Sequence, residues 1–145
     1  MEQEHKFTVR CRAIIIDQGE LLVATHGTHD YCALPGGKME WGEDVLSCMK
    51  RELIEELGIE PVIGRLCYVN NFGTPEGGYT AEFLFEILNG ADYRDYEKYD
   101  RSHAFEISGL EWIKPDQAVN LKPASVAEDF KNGTILQEKP KFIYN

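Results

Sequence analysis

GKMEWGEDVLSCMKRELIEELGI, residues 37–59, decides how this chain is read. Val45, Leu46, Met49, Leu53 and Leu57 recur at helical spacing and predict a helix over Glu43–Leu57. Glu43 and Asp44 fall in its first turn, where acids suit the helix dipole. Gly58 and Pro61 supply the stop. A helix advances about 100° per residue, so Glu52, Glu55 and Glu56 share an arc of about 100°. Glu56 points between Val45 and Met49, onto the apolar stripe. A carboxylate aimed at a core edge is costly unless it is paired or holds a cation. Oxygen donors on a rigid helix suit Mg²⁺, or Mn²⁺ as a substitute, rather than zinc. The ordinary reading of a Glu-rich helix is a solvated acidic face. The Gly36-Gly37 bend before it and the placement of Glu56 argue against that here.

Working outward, 145 residues with 43% hydrophobic and 28% charged content are the composition of one globular domain, taken as residues 1–145. The net charge is −10, with 15 basic against 25 acidic residues, which disfavours general nucleic-acid binding. The same charge repels an anionic substrate unless something local reverses the field, and a bound divalent cation is the simplest such thing. MEQEHK is polar and no apolar run reaches membrane length, so no membrane association and a cytoplasmic location are expected. Cys11, Cys32, Cys48 and Cys67 match no zinc or disulfide framework and read as reduced, mostly buried thiols.

Strands are expected over Phe7–Asp17, Glu20–Thr25, Pro61–Phe72, Tyr79–Leu88 and Leu110–Ile113. Residues 34–38 read as a loop and Asn89–Ser102 as a mobile one. A helical turn is expected at Pro115–Val119, a second helix at Pro123–Lys131, and residues 134–145 carry only a weak signal. Alternating strands and helices give an α/β or α+β domain.

Written as a pattern, the opening segment is Gly37, five residues, Glu43, seven residues, then Arg51-Glu52-Leu53-Ile54-Glu55-Glu56-Leu57-Gly58-Ile59. Seven fixed residue types and two apolar positions would coincide by chance at on the order of one start site in a billion. This segment resembles the box of the Nudix hydrolases at every defining position. The resemblance implies an α/β fold, an α/β/α sandwich with a mixed central sheet. It implies a hydrolase of a diphosphate bond in a nucleoside diphosphate derivative, assisted by Mg²⁺ or Mn²⁺. Glu52, Glu55 and Glu56 match the metal-binding carboxylates, with Glu52 as an alternative general base. The Gly36 carbonyl matches a further metal contact. Arg51 matches the residue that holds the box carboxylates, with Glu43 or Glu55 as partner. Glu106, six residues before Trp112, resembles an extra metal ligand or base from outside the box, with Glu97, Asp100 and Glu76 in reserve. A homodimer is implied by the family alone.

Substrate choice is less legible. Gly37 and Lys38 are placed to meet a phosphate, although a surface lysine explains Lys38 equally well. Arg10 and Arg12 share one face of the first strand and reach toward phosphate or base, or else form a solvated face. Tyr31, Trp41, Phe72, Tyr93 and Tyr96 are candidates for stacking on a base. Pro75 resembles a proline of some ADP-ribose-cleaving members of the family, although a turn former is its ordinary reading, and Tyr79 lies a few residues after the tyrosine of the dinucleoside polyphosphate members. His5, His26, His29 and His103 show no catalytic spacing; His103 neighbours Glu106. The expected substrate is a small nucleotide, a nucleoside triphosphate or a nucleotide sugar such as ADP-ribose. The rival is an inactive nucleotide-sensing module of the same fold, which would be expected to lack some of these carboxylates.

Overall fold

A computed structural model describes residues 5–25, 30–99, 101, 109–118 and 120–144. Its centre is β1 (Phe7–Asp17), whose alternation sends Ile14 to one face and Cys11, Ala13 and Ile15 to the other, all buried. Burial on both faces is the mark of a central strand. β2 (Glu20–Thr25) returns antiparallel after a turn at Gln18-Gly19. β6 (Tyr79–Ile87) runs parallel to β1, in register from Phe7↔Tyr79 to Ile15↔Ile87. β5 (Ile63–Gly73) lies antiparallel to β6, and β9 (Lys141–Ile143) lies parallel to β5. On the other side β2 pairs with β3 (Cys32–Ala33) and β7 (Gly109–Ile113), and β3 pairs with β8 (Leu121–Lys122). The result is a mixed sheet that splays along β1.

Each face carries one helix. α1 (Val45–Leu57) buries Cys48, Met49, Leu53 and Leu57 against Cys11, Ala13, Ile15, Phe85 and Ile87. α2 (Ala124–Lys131) buries Val126, Ala127 and Phe130 against Ile14, Tyr68 and Leu84. The expected α/β/α layering is therefore present. Tyr68 ties the second layer to the sheet, its hydroxyl donating to Asp129 at 2.7 Å. Among the described residues no helix is long and apolar enough to cross a membrane.

Four expectations need correction. α1 starts at Val45, because Asp44 is its cap: the Asp44 side chain accepts from the Ser47 amide at 2.8 Å, so Glu43 and Asp44 precede the first turn. Leu46 shares the direction of Leu53 but remains half-exposed. Residues 36–38 form a short strand, β4 (Gly36–Lys38), because their backbone pairs with Arg10–Arg12. Gly90–Lys98, expected to be loop, forms 3₁₀ turns. Tyr93 anchors them, fully buried with its hydroxyl on the Ile59 carbonyl at 2.9 Å, and Arg94 pairs with Asp17 and Glu20 while lying 4.0 Å from the Trp112 ring centre.

Leu53 is the middle of the α1 contact with the sheet. Leu53→Ala is expected to lower unfolding stability by about 2–5 kcal/mol in urea titration. A loss below about 1 kcal/mol would mean that α1 is not packed on the sheet as described.

Candidate active site

The site begins with two glycines that serve different ends. Gly36 has φ +147°, and a Cβ there would strike the Cys11 carbonyl and lie 2.9 Å from the Arg12 Cα. Only glycine lets β4 close onto β1. A Cβ on Gly37 would lie 2.5 Å from the Glu52 carboxyl group. Gly37 is thus the seat against which that carboxylate rests. Beneath it the Cys11 and Cys48 thiols meet at 2.7 Å and both reach the Gly37 carbonyl, at 3.7 and 3.8 Å. The four cysteines are free thiols, three of them buried, as expected.

α1 presents the acids. Glu52 and Glu56 are 7% and 2% exposed, so the expectation that Glu56 lies on the buried side holds. Arg51 organises the group. Its Nε and Nη2 grip Glu43 at 3.0 and 2.7 Å, and its Nη1 reaches Glu52 at 3.0 Å and Glu55 at 3.1 Å. Nη2 also donates to the Lys38 carbonyl at 3.0 Å. Both expected partners, Glu43 and Glu55, are engaged, and Glu52 joins them. The Arg51 hydrogen bonds hold the Glu43 carboxyl at about 2, and Glu43 in turn raises the Arg51 pKa.

Arg51, Glu52, Glu55 and Glu56 line one open cavity of about 850 Å³, together with Gly36, Gly37, Lys38, Arg10 and Arg12. Tyr31, Trp41 and Phe72 also line it, whereas Tyr93 belongs to the core. Arg10 and Arg12 are not a solvated face. Arg12 is 14% exposed and bonds Glu82 at 3.1 Å and the Leu34 carbonyl at 3.2 Å. Burial first, and then the Arg12 charge, lower the Arg10 pKa. Glu106, His103 and Asp100 lie outside the described residues. Glu82 and Asn70 were not foreseen. Glu82 is 6% exposed, and Asn70 donates to its second oxygen at 3.1 Å.

Oxygen donors fit a hard divalent cation: Glu52, Glu55, Glu56 and Gly36 all line the cavity, and no described Cys or His does. Among the described residues no three acids are already gathered into a coordination cluster. Arg51 stands between Glu52 and Glu55 instead.

The family model for the NUDIX domain matches residues 6–132. This chain belongs to the Nudix hydrolase family. It is similar to the ORF135 protein of E. coli in solution, at 25% identity, 88% of each chain and a TM-score of 0.65. It is similar to a mutator MutT protein from Bacillus halodurans at 23% identity, 95% and 90% coverage and a TM-score of 0.66. It also matches an ADP-ribose pyrophosphatase from Streptococcus suis at 16% identity, 95% and 98% coverage and a TM-score of 0.63. No curated relative matches the chain.

The Glu43–Arg51 pair makes a pH prediction. Glu43 titrates near 4.5 when unfolded and about 2 when folded, so its stabilisation is complete above the first value and fades as pH falls toward the second. Urea midpoints of the wild type and Glu43→Gln should differ most at pH 5–7 and converge on approach to pH 2, roughly the span of the shift. A gap independent of pH would show that this pair does not hold the proton equilibrium described.

Proposed function

We propose that the chain hydrolyses a phosphoanhydride bond in a nucleoside diphosphate derivative, a nucleoside triphosphate or a nucleotide sugar such as ADP-ribose. Mg²⁺ would assist it, with Mn²⁺ as a substitute. The observation that carries the reading is the joining, in one cavity, of an acid wall on α1 to a cationic wall on β1. With a net charge of −10, a polyphosphate needs a local reversal of the field, which a cation on the acid wall would supply beside the arginines of β1.

In this reading Glu52, Glu55, Glu56 and the Gly36 carbonyl would hold the cation, with Glu106 as an added ligand. The cation would supply charge neutralisation and polarisation of phosphorus when bound. The chain's own groups do the rest. Lys38 and the Gly37 backbone approach phosphate oxygens, and Arg10 and Arg12 offer positive charge from β1. A carboxylate, Glu52 or Glu106, orients the attacking water and takes its proton. Arg51 keeps Glu52 and Glu55 aimed until the substrate complex forms. Catalysis of this kind rests on position and charge, with no covalent nucleophile from the chain. Cleavage of a nucleotide sugar is consistent with the activities of an ADP-ribose pyrophosphatase and a UDP-X diphosphatase that share the fold.

Phosphate and pyrophosphate release from a nucleotide panel should require Mg²⁺. Glu55→Gln and Glu56→Gln should remain folded by circular dichroism yet lose turnover by several orders of magnitude. Near-normal turnover in both variants would place the chemistry elsewhere.

A further inference from the structure

Glu82 has no task in the reaction above, yet it is a buried carboxylate on the wall of the same cavity. A second hollow of about 170 Å³ is lined by Arg12, Tyr31, Leu34, Phe72, Glu82 and Lys122, among others. It shares Arg12, Tyr31, Ala33, Phe72 and Glu82 with the large cavity, so the two are contiguous. The hollow is below the usual size for a whole ligand but suits one flat ring system attached to something larger. Two aromatic rings line it, which suits stacking on a heterocycle.

The polar groups there have capacity to spare. A carboxylate offers about four acceptor positions. Arg12 Nε occupies one at 3.1 Å and Asn70 another at 3.1 Å. Arg12 spends Nε on Glu82 and Nη1 on the Leu34 and Gly36 carbonyls, while its Nη2 donors make no hydrogen bond among the described residues. The hollow therefore presents an acceptor-only group beside a donor-only group. Asn70 holds the other oxygen of Glu82, and the β1–β6 register, with Arg10 opposite Glu82, leaves Arg12 one same-face position along, where its Nε reaches Glu82.

We propose that Glu82 and Arg12 form a base-reading pair that selects nucleobases carrying an exocyclic amino group. The inference rests on the reading of the cavity as a nucleotide site. Cytosine and adenine each place an amino donor beside a ring-nitrogen acceptor. The amino group donates to Glu82 and the acceptor meets Arg12, the same donor–acceptor logic by which carboxylates read the cytosine amino group elsewhere. Uracil and hypoxanthine carry a carbonyl oxygen at the position of that amino group. An acceptor would then face the buried Glu82 acceptor, and the neighbouring ring N–H would face the Arg12 donors, so both pairings are mismatched. Sites built around one substrate N–H reject the analogue that lacks it far more strongly than apolar pockets reject a missing methylene.

Two deamination pairs test this. Equilibrium binding of CMP against UMP and of AMP against IMP, without metal and followed by calorimetry, reads the base subsite apart from turnover. The amino member should bind at least about tenfold tighter in one pair or both. Glu82→Gln should bring that ratio near one. A wild-type ratio near one in both pairs overturns the proposal, as does failure of all four to bind. A Glu82→Gln variant that weakens both members equally, leaving the ratio intact, also overturns it and makes Glu82 a counter-ion for Arg12 alone. Turnover of CTP, UTP, ATP and ITP with Mg²⁺ separates the two readings. Binding preference without turnover sinks the hydrolase reading and leaves base selection standing; turnover without preference does the reverse.

Discussion

Like charges on one helical face repel, and the whole site depends on how that repulsion is held. Arg51 is the means. One guanidinium grips Glu43 at the loop before α1, touches Glu52 and Glu55 on the helix, and caps the Lys38 carbonyl on β4. These partners lie in three separate segments, so one side chain locks the loop, the helix and the short strand together. The planar fork of arginine can satisfy such a set, and a lysine could not. Gly37 completes the arrangement by leaving room for the Glu52 carboxylate against the backbone.

Much of this was legible because it is local. The spacing within residues 37–59 places acids, arginine and glycines by helix geometry alone, and β1 and β2 appear with the bounds that alternation and the Gln18-Gly19 turn suggest. The start of α1 was misplaced by two residues, since a capping Asp44 and a first-turn Asp look alike in sequence. Gly90–Lys98 reads as loop because its composition is polar, while Tyr93 is hidden in the core and Arg94 is paired with Asp17 and Glu20.

Glu82 was not legible for a different reason. Its pairing with Arg12 spans 70 residues and follows from the parallel register of β1 and β6. A parallel pairing leaves no turn to reveal it. The one clue was a charge set between Thr80 and Leu84 on a strand face that Leu84 marks as buried. Arg10 and Arg12 were open between a solvated face and a ligand wall for the same reason. Only the sheet above them, with β4 on one side and β6 on the other, makes that face the floor of a cavity.

The cavity therefore joins two charge regimes that the chain builds from opposite ends, acids on α1 and arginines on β1, across a bend that only glycine permits. The central claim is that the acid wall is a cation site. Anomalous diffraction from crystals soaked in Mn²⁺ tests it most directly. The account predicts a manganese peak bonded to oxygens of Glu52, Glu56 or Glu55 beside the Gly36 carbonyl, with Arg51 drawn off at least one of them. A cavity without a peak, its carboxylates still bound to Arg51 at saturating Mn²⁺, would contradict it.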